Sequence, residues 1–211
     1  MRPTSPVPLY PGWLRGWHWT NAALFVALLA TGFSMHFATP GEPLIPFRTA
    51  RAVHNLAGVA ILLLYAGFLA VNARSVNGRH YALRARGLVA GMIRQARWYL
   101  LGIFRGEPNP FTASRETKFN PLQRVTYLAV MYGWFPLVGI TGLILLFPEA
   151  APERVLGRGG IWPAAVLHAL AAFAGALFLA AHVYLATTGN PVTEYYRSML
   201  VGDHRPGRRS R

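Results

Sequence analysis

Cysteine is absent from this chain, and acidic residues are scarce. Without a thiol the chain can form no disulfide, ligate no iron–sulfur cluster, present no thiol nucleophile and attach no c-type haem covalently. Seven acids stand against 21 bases, a formal charge of +14, although only 13% of the 211 residues are charged. Because the bases lie between long apolar runs and not over a polar surface, the composition excludes a nucleic-acid-binding domain. It indicates a membrane protein with cationic loops.

Charge is missing altogether from four stretches of 22 or more residues. A helix needs about 20 apolar residues to cross the hydrocarbon core of a bilayer. A backbone in lipid must also satisfy its polar groups internally, which favours helices. We therefore predict an all-α membrane protein, a single domain over residues 1–211 folded as a four-transmembrane-helix bundle. The predicted spans are residues 16–37, 52–73, 125–147 and 163–188.

Lysine and arginine are distributed unevenly among the segments between these spans. The N-terminal segment, the 74–124 loop and the C-terminal tail carry 17 bases and four acids. The 42–51 and 149–158 loops carry four bases and three acids. Because cytoplasmic loops of membrane proteins carry the excess of positive charge, we expect both termini in the cytoplasm.

The cytoplasmic 74–124 loop contains the pattern of an amphipathic helix between Leu88 and Phe104. At 100° per residue its arginines share one arc and its apolar residues lie on the other side. The arginines are Arg86, Arg94, Arg97 and Arg105, and the apolar residues are Leu88, Met92, Ala96, Tyr99 and Ile103. We expect a helix at the cytoplasmic interface, whose arginines contact lipid headgroups or a partner protein. A solvated charged face opposite a packing face has the same geometry.

Four of the seven histidines lie at matched depths in the predicted spans. His168 and His182 are 14 residues apart in span four, about 21 Å of rise and about 40° short of whole turns. His18 matches His182 in depth at the cytoplasmic side, and His54 matches His168 at the outer side. Small residues between His168 and His182 in span four, such as Gly175, leave room for a bulky group or for close helix packing. We predict two haem b groups, each bound by one of these pairs, although a lone intramembrane histidine is often a hydrogen-bonded core residue.

His36 competes with His54 as ligand of the outer haem. It follows His18 by 18 residues, about five helical turns, and so faces the same direction. We favour His54, because an uninterrupted apolar helix follows it, whereas His36 lies at the end of span one. His36 is then an interface residue or a hydrogen-bond donor to a propionate or partner.

Two arginines are placed to bind haem propionates. Arg15 and Arg51 each precede by three residues the histidine that opens spans one and two. A propionate needs a cation near the headgroup level, although flanking arginines also snorkel to the interface. His80 and His204 lie in polar cytoplasmic segments, where we expect surface residues.

The histidine-bearing segments resemble a known family. Residues 17–22 (WHWTNA), a histidine opening span two and the His-x13-His spacing of span four resemble the cytochrome b (gamma) subunits of formate dehydrogenase and thiosulfate reductase. Nickel–iron hydrogenase cytochrome b is a more distant relative. The resemblance covers all four spans and implies an electron-transfer and quinone-reacting subunit in the bacterial cytoplasmic (inner) membrane. It further implies an iron–sulfur partner subunit, a molybdenum/tungsten or nickel–iron catalytic subunit, and menaquinone or ubiquinone.

Residues 118–124 (KFNPLQR) resemble the stretch that opens span three in the formate dehydrogenase subunit, where the asparagine contacts quinone beside the cytoplasmic haem. This resemblance makes Asn120 and Gln123 candidates for quinone binding. A quinone carbonyl needs a hydrogen-bond donor near a redox centre, which a polar pair supplies. The same residues predict a helix N-cap at Asn120 with Pro121 in the first turn, and both roles can hold.

Two other functions remain open from the sequence. One is a stand-alone two-haem quinol oxidase or superoxide scavenger, which needs no partner subunit; the long basic 74–124 loop argues against it. The other is a non-redox membrane anchor or transporter that uses the histidines for protons or metal. Transporters often have broken helices and repeats, which the sequence pattern does not indicate.

Overall fold

The chain is mostly α-helical in the computed structural model, which describes residues 7–8, 10–37, 44–75, 87–111, 118–189 and 191–204. The helices are α1 Gly12–His36, α2 Phe47–Arg74, α3 Leu88–Arg97, α4 Pro121–Leu128, α5 Phe135–Leu146, α6 Ile161–Ala186 and α7 Glu194–Val201. The strands are β1 Val7–Pro8, β2 Arg154–Val155, β3 Arg158–Gly159 and β4 Asp203–His204.

The chain divides into two compact units. The first, which we call the terminal unit, comprises Met1–Arg15, Asn72–Met131 and Ala180–Arg211. The second, which we call the bundle unit, comprises Gly16–Val71 and Tyr132–Leu179.

Three helices are long and apolar enough to cross a membrane among the residues that the structure describes: α2, Pro121–Leu146 and α6. Each overlaps one of the predicted spans to within a few residues. Large apolar side chains point outward from them, with Leu56 74%, Leu63 69% and Phe173 64% exposed. Such side chains would promote aggregation in water, but they suit a surface covered by lipid. The predicted helical membrane protein is thus confirmed at the level of these three helices.

The predicted first span is also helical, over the 25 residues of α1. It is not among the three helices that are apolar enough to span a membrane, and it contains the buried polar residues Asn21 and Ser34. Ser34 links the end of α1 to the segment before α2, since its hydroxyl accepts a hydrogen bond from the Ile45 N–H at 2.9 Å. That α1 is a fourth span stays a prediction.

Glycines let the helices of the bundle unit approach closely. A methyl group at Gly139 on α5 would lie 2.8 Å from the Leu62 side chain on α2. A methyl group at Gly175 on α6 would lie 2.6 Å from the Trp134 indole and 3.1 Å from the Phe25 ring. Close packing through small residues is how membrane helices associate without a hydrophobic driving force. At Gly175, therefore, aromatic side chains of the protein itself fill the space.

The third span begins at the predicted cap. The Asn120 side chain accepts a hydrogen bond from the Gln123 N–H at 2.8 Å, and the Gln123 side chain accepts one from the Asn120 N–H at 3.0 Å. This reciprocal capping box, with Pro121 in the first turn, confirms the N-cap prediction. A π-helical segment, Ala129–Trp134, separates α4 from α5.

Helical structure also fills the segment predicted to be amphipathic. α3 continues through a π-helical turn, Trp98–Gly102, into a 3-10 turn, Ile103–Arg105. α3 packs close to α4, since a methyl group at Gly91 would lie 2.8 Å from Pro121. Gln95 and Trp98 are the buried side chains on this side.

The apolar side chains that point outward from this segment mostly follow the predicted apolar residues by one position, a rotation of about 100° around the helix. The predicted apolar residues are half-buried, because they flank the contact with α4. The exposed apolar side chains are Val89, Ile93, Leu100, Leu101 and Phe104. Binding of this segment at the membrane interface stays a prediction.

The two ends of the terminal unit are joined. β1 pairs with β4 in antiparallel fashion, and the Arg15 guanidinium donates to the Leu200 carbonyl. Gly202 ends α7 with a φ of 99°, a conformation that favours glycine. Its carbonyl accepts from the Tyr10 N–H at 3.1 Å.

Candidate functional site

Two predicted ligands come together in the bundle unit. The ring centroids of His54 on α2 and His168 on α6 lie 6.2 Å apart, with the ring planes inclined at 69°. Each histidine lies about two turns after the start of its helix, and each is half-buried. The structure therefore brings together the histidines that were predicted to share the outer haem.

Hydrogen bonds from neighbouring helices hold both imidazoles. Thr31 Oγ1 on α1 lies 2.9 Å from His54 Nδ1. Thr141 Oγ1 on α5 lies 3.1 Å from His168 Nδ1. Sequence reasoning missed both threonines, because a threonine in an apolar helix commonly bonds only to its own backbone.

The other predicted haem ligands belong to different units. His18 lies in the bundle unit, with its ring against Trp19 at a centroid distance of 5.3 Å. His182 lies on α6 within the terminal unit. The inner pair stays a prediction from depth and spacing.

His36 is exposed at the end of α1, with its ring against Phe37 at a centroid distance of 4.7 Å. Arg51 is exposed on α2, one turn before His54. Arg15 donates to the Leu200 carbonyl, while its Nε is buried and has no hydrogen-bond partner in the described part of the chain. His80 lies outside the described residues.

A second polar cluster surrounds Asn120 in the terminal unit. Asn120 is only 2% exposed, and its Nδ2 lies 3.4 Å from the Tyr99 hydroxyl. Gln95, which is also buried, forms a hydrogen bond with the same phenol. Gln123 contributes its side-chain oxygen to the capping box. The cluster gathers several amide and hydroxyl donors around the predicted quinone-binding asparagine.

Burial shifts the pKa of Tyr99 in this cluster and the pKa values of Tyr195 and Lys118 in the same unit. Burial raises the pKa of the Tyr99 phenol, although hydrogen bonds from Asn120 and Gln95 oppose the shift. Burial also raises the pKa of Tyr195, with contributions from Tyr99 and Glu194. Both phenols therefore stay protonated beyond the usual range of tyrosine and can donate hydrogen bonds. Burial lowers the pKa of Lys118.

Comparison with known proteins places the chain in a family. Residues 9–202 match the family described as prokaryotic cytochrome b561. The chain belongs to this family. It is also 43% identical, over 197 residues, to an Escherichia coli (strain K12) protein named "Putative cytochrome YdhU". That similarity covers 93% of this chain and 74% of the relative.

Family membership confirms the prediction of a cytochrome b at this coarser level. A cytochrome b561-type membrane protein carries haem b and takes part in electron transfer. The apolar helices are consistent with a bacterial inner membrane. The assignment to the formate dehydrogenase or thiosulfate reductase type is more specific than this family and stays a prediction.

The histidine pair fits the haem b that this b561-type cytochrome requires. Haem supplies four nitrogens to its iron and needs two axial ligands, so a pair of histidines completes the coordination. Among the described residues, no cluster of three or more His, Cys, Asp or Glu side chains could hold a metal ion by itself. Bonds of about 2 Å to a metal between two imidazoles put the ring centroids about 6 Å apart. The separation of His54 and His168, 6.2 Å, agrees with this value.

Proposed function

We propose that this b561-type cytochrome is the di-haem membrane subunit of a respiratory oxidoreductase complex of the formate dehydrogenase or thiosulfate reductase type. It transfers electrons between an iron–sulfur partner subunit and the membrane quinone pool. The observation that carries the proposal is the facing pair of His54 and His168, with ring centroids 6.2 Å apart. His54 and His168 would hold the iron of a haem b between them, and the haem would supply one-electron transfer.

The proposed ligands are His54 and His168 for the outer haem and His18 and His182 for the inner haem. The inner assignment is supported by the 14-residue spacing of His168 and His182, which directs both imidazoles the same way at two depths. When bound, haem b supplies one-electron redox chemistry. The protein would position the histidines and tune the redox potential of the haems through ligation.

The proposed cation for a propionate of the inner haem is Arg15. Its buried Nε has no hydrogen-bond partner among the described residues and retains a donor for a carboxylate. Arg51, one turn before His54, is the proposed counterpart for the outer haem.

The quinone site is proposed at the Asn120 cluster. Tyr99 and Asn120 are hydrogen-bond donors at the cytoplasmic start of span three, and a quinone carbonyl needs such donors. Because burial raises the pKa of Tyr99, the phenol keeps its proton across the working pH range. Gln123 is a further candidate, which also supports Asn120 through the capping box.

The proposed complex lies in the bacterial inner membrane with both termini of this chain in the cytoplasm. The iron–sulfur partner binds at the outer face, with a molybdenum/tungsten or nickel–iron catalytic subunit beyond it. The excess of bases in the terminal segments and in the 74–124 loop supports this orientation. Co-purification of an iron–sulfur subunit in mild detergent would favour the complex over a stand-alone cytochrome.

Histidine variants test the ligand assignment. His54→Ala and His168→Ala should each reduce the haem content from two per chain to one, and both should lose the same haem, because they share it. His182→Ala should lose the other haem. Haem stoichiometry and reduced-minus-oxidised spectra of purified protein measure these outcomes.

His36→Ala is the matched control, because His36 is exposed at the end of α1 and should not be a ligand. This variant should keep both haems. If His36→Ala lost a haem while His54→Ala kept both, His36 and not His54 would be the ligand of the outer haem. A wild-type protein without b-type absorption bands would refute the proposed function.

A further inference from the structure

The hydroxyl groups beside the facing histidines each lie closer to a backbone carbonyl of their own helix than to the imidazole nitrogen. Thr31 donates its hydroxyl proton to the Ala27 carbonyl at 2.7 Å, and Thr141 donates to the Leu137 carbonyl at 2.8 Å. In both helices a second carbonyl of the same turn lies at 3.2 Å. A hydroxyl has one proton and two lone pairs. Each threonine oxygen therefore offers only a lone pair to the imidazole nitrogen next to it.

When the hydroxyl proton lies on the nearer carbonyl, the proton in each threonine–histidine hydrogen bond comes from the ring. Thr31 Oγ1 lies 2.9 Å from His54 Nδ1, and Thr141 Oγ1 lies 3.1 Å from His168 Nδ1. A neutral imidazole carries its proton on one nitrogen and a lone pair on the other. With Nδ1 protonated, the lone pair of each ring lies on Nε2, the nitrogen that remains for a metal.

Glycines next to the threonines let the rings reach these positions. A methyl group at Gly32 would lie 3.3 Å from His54 Cε1, and one at Gly142 would lie 3.2 Å from His168 Cε1. Both distances are shorter than ordinary van der Waals contact between carbons. A larger residue at either glycine would push the ring away from the threonine hydroxyl. The same threonine–glycine arrangement thus occurs twice, once for each histidine.

We infer that Thr31 and Thr141 are positioning residues that hold His54 and His168 in the Nδ1–H tautomer, so that Nε2 binds the haem iron. The inference rests on the proposed function, in which these histidines share one haem. A hydrogen-bond acceptor at the second nitrogen fixes the orientation of a metal-bound histidine and raises its basicity. Both threonines therefore make a ligand of the same haem more basic, and both lower the midpoint potential of that haem.

Valine and serine variants of the full-length cytochrome test the inference. Thr31→Val and Thr141→Val remove the hydroxyl acceptor but keep the branched shape, and they leave the backbone carbonyls of Leu28 and Val138 beside the rings. Each should raise the midpoint potential of the haem that His168→Ala loses, because a less basic ligand stabilises the oxidised iron less. Loss of such a partner should also weaken haem retention by about tenfold, at the low end of the range for residues that support metal ligands. Thr31→Ser and Thr141→Ser should restore both properties.

Thr187→Val is the matched control. The Thr187 hydroxyl, in the turn directly after α6, also donates to a backbone carbonyl, that of Tyr184 at 2.7 Å, and it forms no hydrogen bond with a histidine of the described part of the chain. This variant should leave both midpoint potentials unchanged. Valine variants with wild-type potentials and haem retention, or serine variants that fail to restore them, would overturn the inference.

Nitrogen-15 NMR of histidine-labelled full-length protein, prepared without haem, reads the tautomers separately from haem binding. The rings of His54 and His168 should be protonated at Nδ1 in the wild type, and Thr31→Val should change only His54. Protonation at Nε2 would refute the inference even if both histidines bind haem. The proposed function fails instead if His54→Ala and His168→Ala keep full haem content, whatever the tautomers are.

Discussion

Single side chains at the two sites combine structural and chemical roles. Asn120 caps α4 through its oxygen and reaches Tyr99 through its Nδ2, so one amide serves the helix and the proposed quinone site. The threonines beside the histidine pair likewise bond to their own helix and to an imidazole. A substitution at such a position changes two properties at once, and a useful variant must separate them.

Asn120→Ser separates the cap from the donor. Serine caps a helix nearly as well as asparagine, but it is too short to supply the Nδ2 group near Tyr99. We expect wild-type thermal stability with a reduced rate of quinone reaction. Asn120→Ala should lower the rate similarly and also cost about 1 kcal/mol of stability through loss of the cap.

Thermal unfolding in detergent and quinol-dependent haem reduction measure the two effects. Wild-type rates in both variants would show that the Asn120 amide does not serve quinone.

At the level of helices, packing depends on small residues at a few crossing points. Gly175 allows α6 to lie against Trp134, whose indole N–H donates to the Ala171 carbonyl at 2.7 Å. That hydrogen bond is an additional one to a carbonyl inside α6, and it holds the indole in place. The indole therefore cannot move away to make room for a larger side chain at position 175.

Gly175→Ala should destabilise the bundle unit by about 1–3 kcal/mol, the usual cost of overpacking a tight contact. Gly67→Ala on α2 is the matched control, since a methyl group there meets no atom within 4 Å. The control should be neutral or stabilise by about 0.5–1 kcal/mol, because alanine favours a helix over glycine. Equal melting temperatures for the two variants would contradict this account of the α6 contact.

At the level of the whole molecule, the unequal distribution of bases predicts the orientation in the membrane. α6 has 26 residues, about 39 Å of helix, which exceeds the hydrocarbon thickness of about 30 Å. Its two ends should therefore be accessible from opposite sides. The absence of cysteine makes a direct test simple, because any thiol label reports only an introduced residue.

Leu156→Cys and Thr193→Cys place a thiol in exposed positions before and after α6. A membrane-impermeant maleimide should label Leu156→Cys in intact spheroplasts and Thr193→Cys only after permeabilisation. Labelling in the reverse order would place the termini on the outer side and would move the proposed quinone site with them.

The sequence by itself determined the helical segments, the cap at Asn120 and the histidine positions along the helices. These properties depend on residue type and spacing over a few turns, so they can be derived from one chain without knowledge of its partners. Even the segment Leu88–Arg105 was correctly predicted to be helical over most of its length.

Only the tertiary structure decided which side of that segment faces outward, which side chains hold His54 and His168, and what fills the space beside Gly175. Each depends on contacts between helices far apart in the chain, such as Gly91 with Pro121 or Thr141 with His168. Periodicity defines the faces of a helix, but only the packed neighbours select the face that is buried.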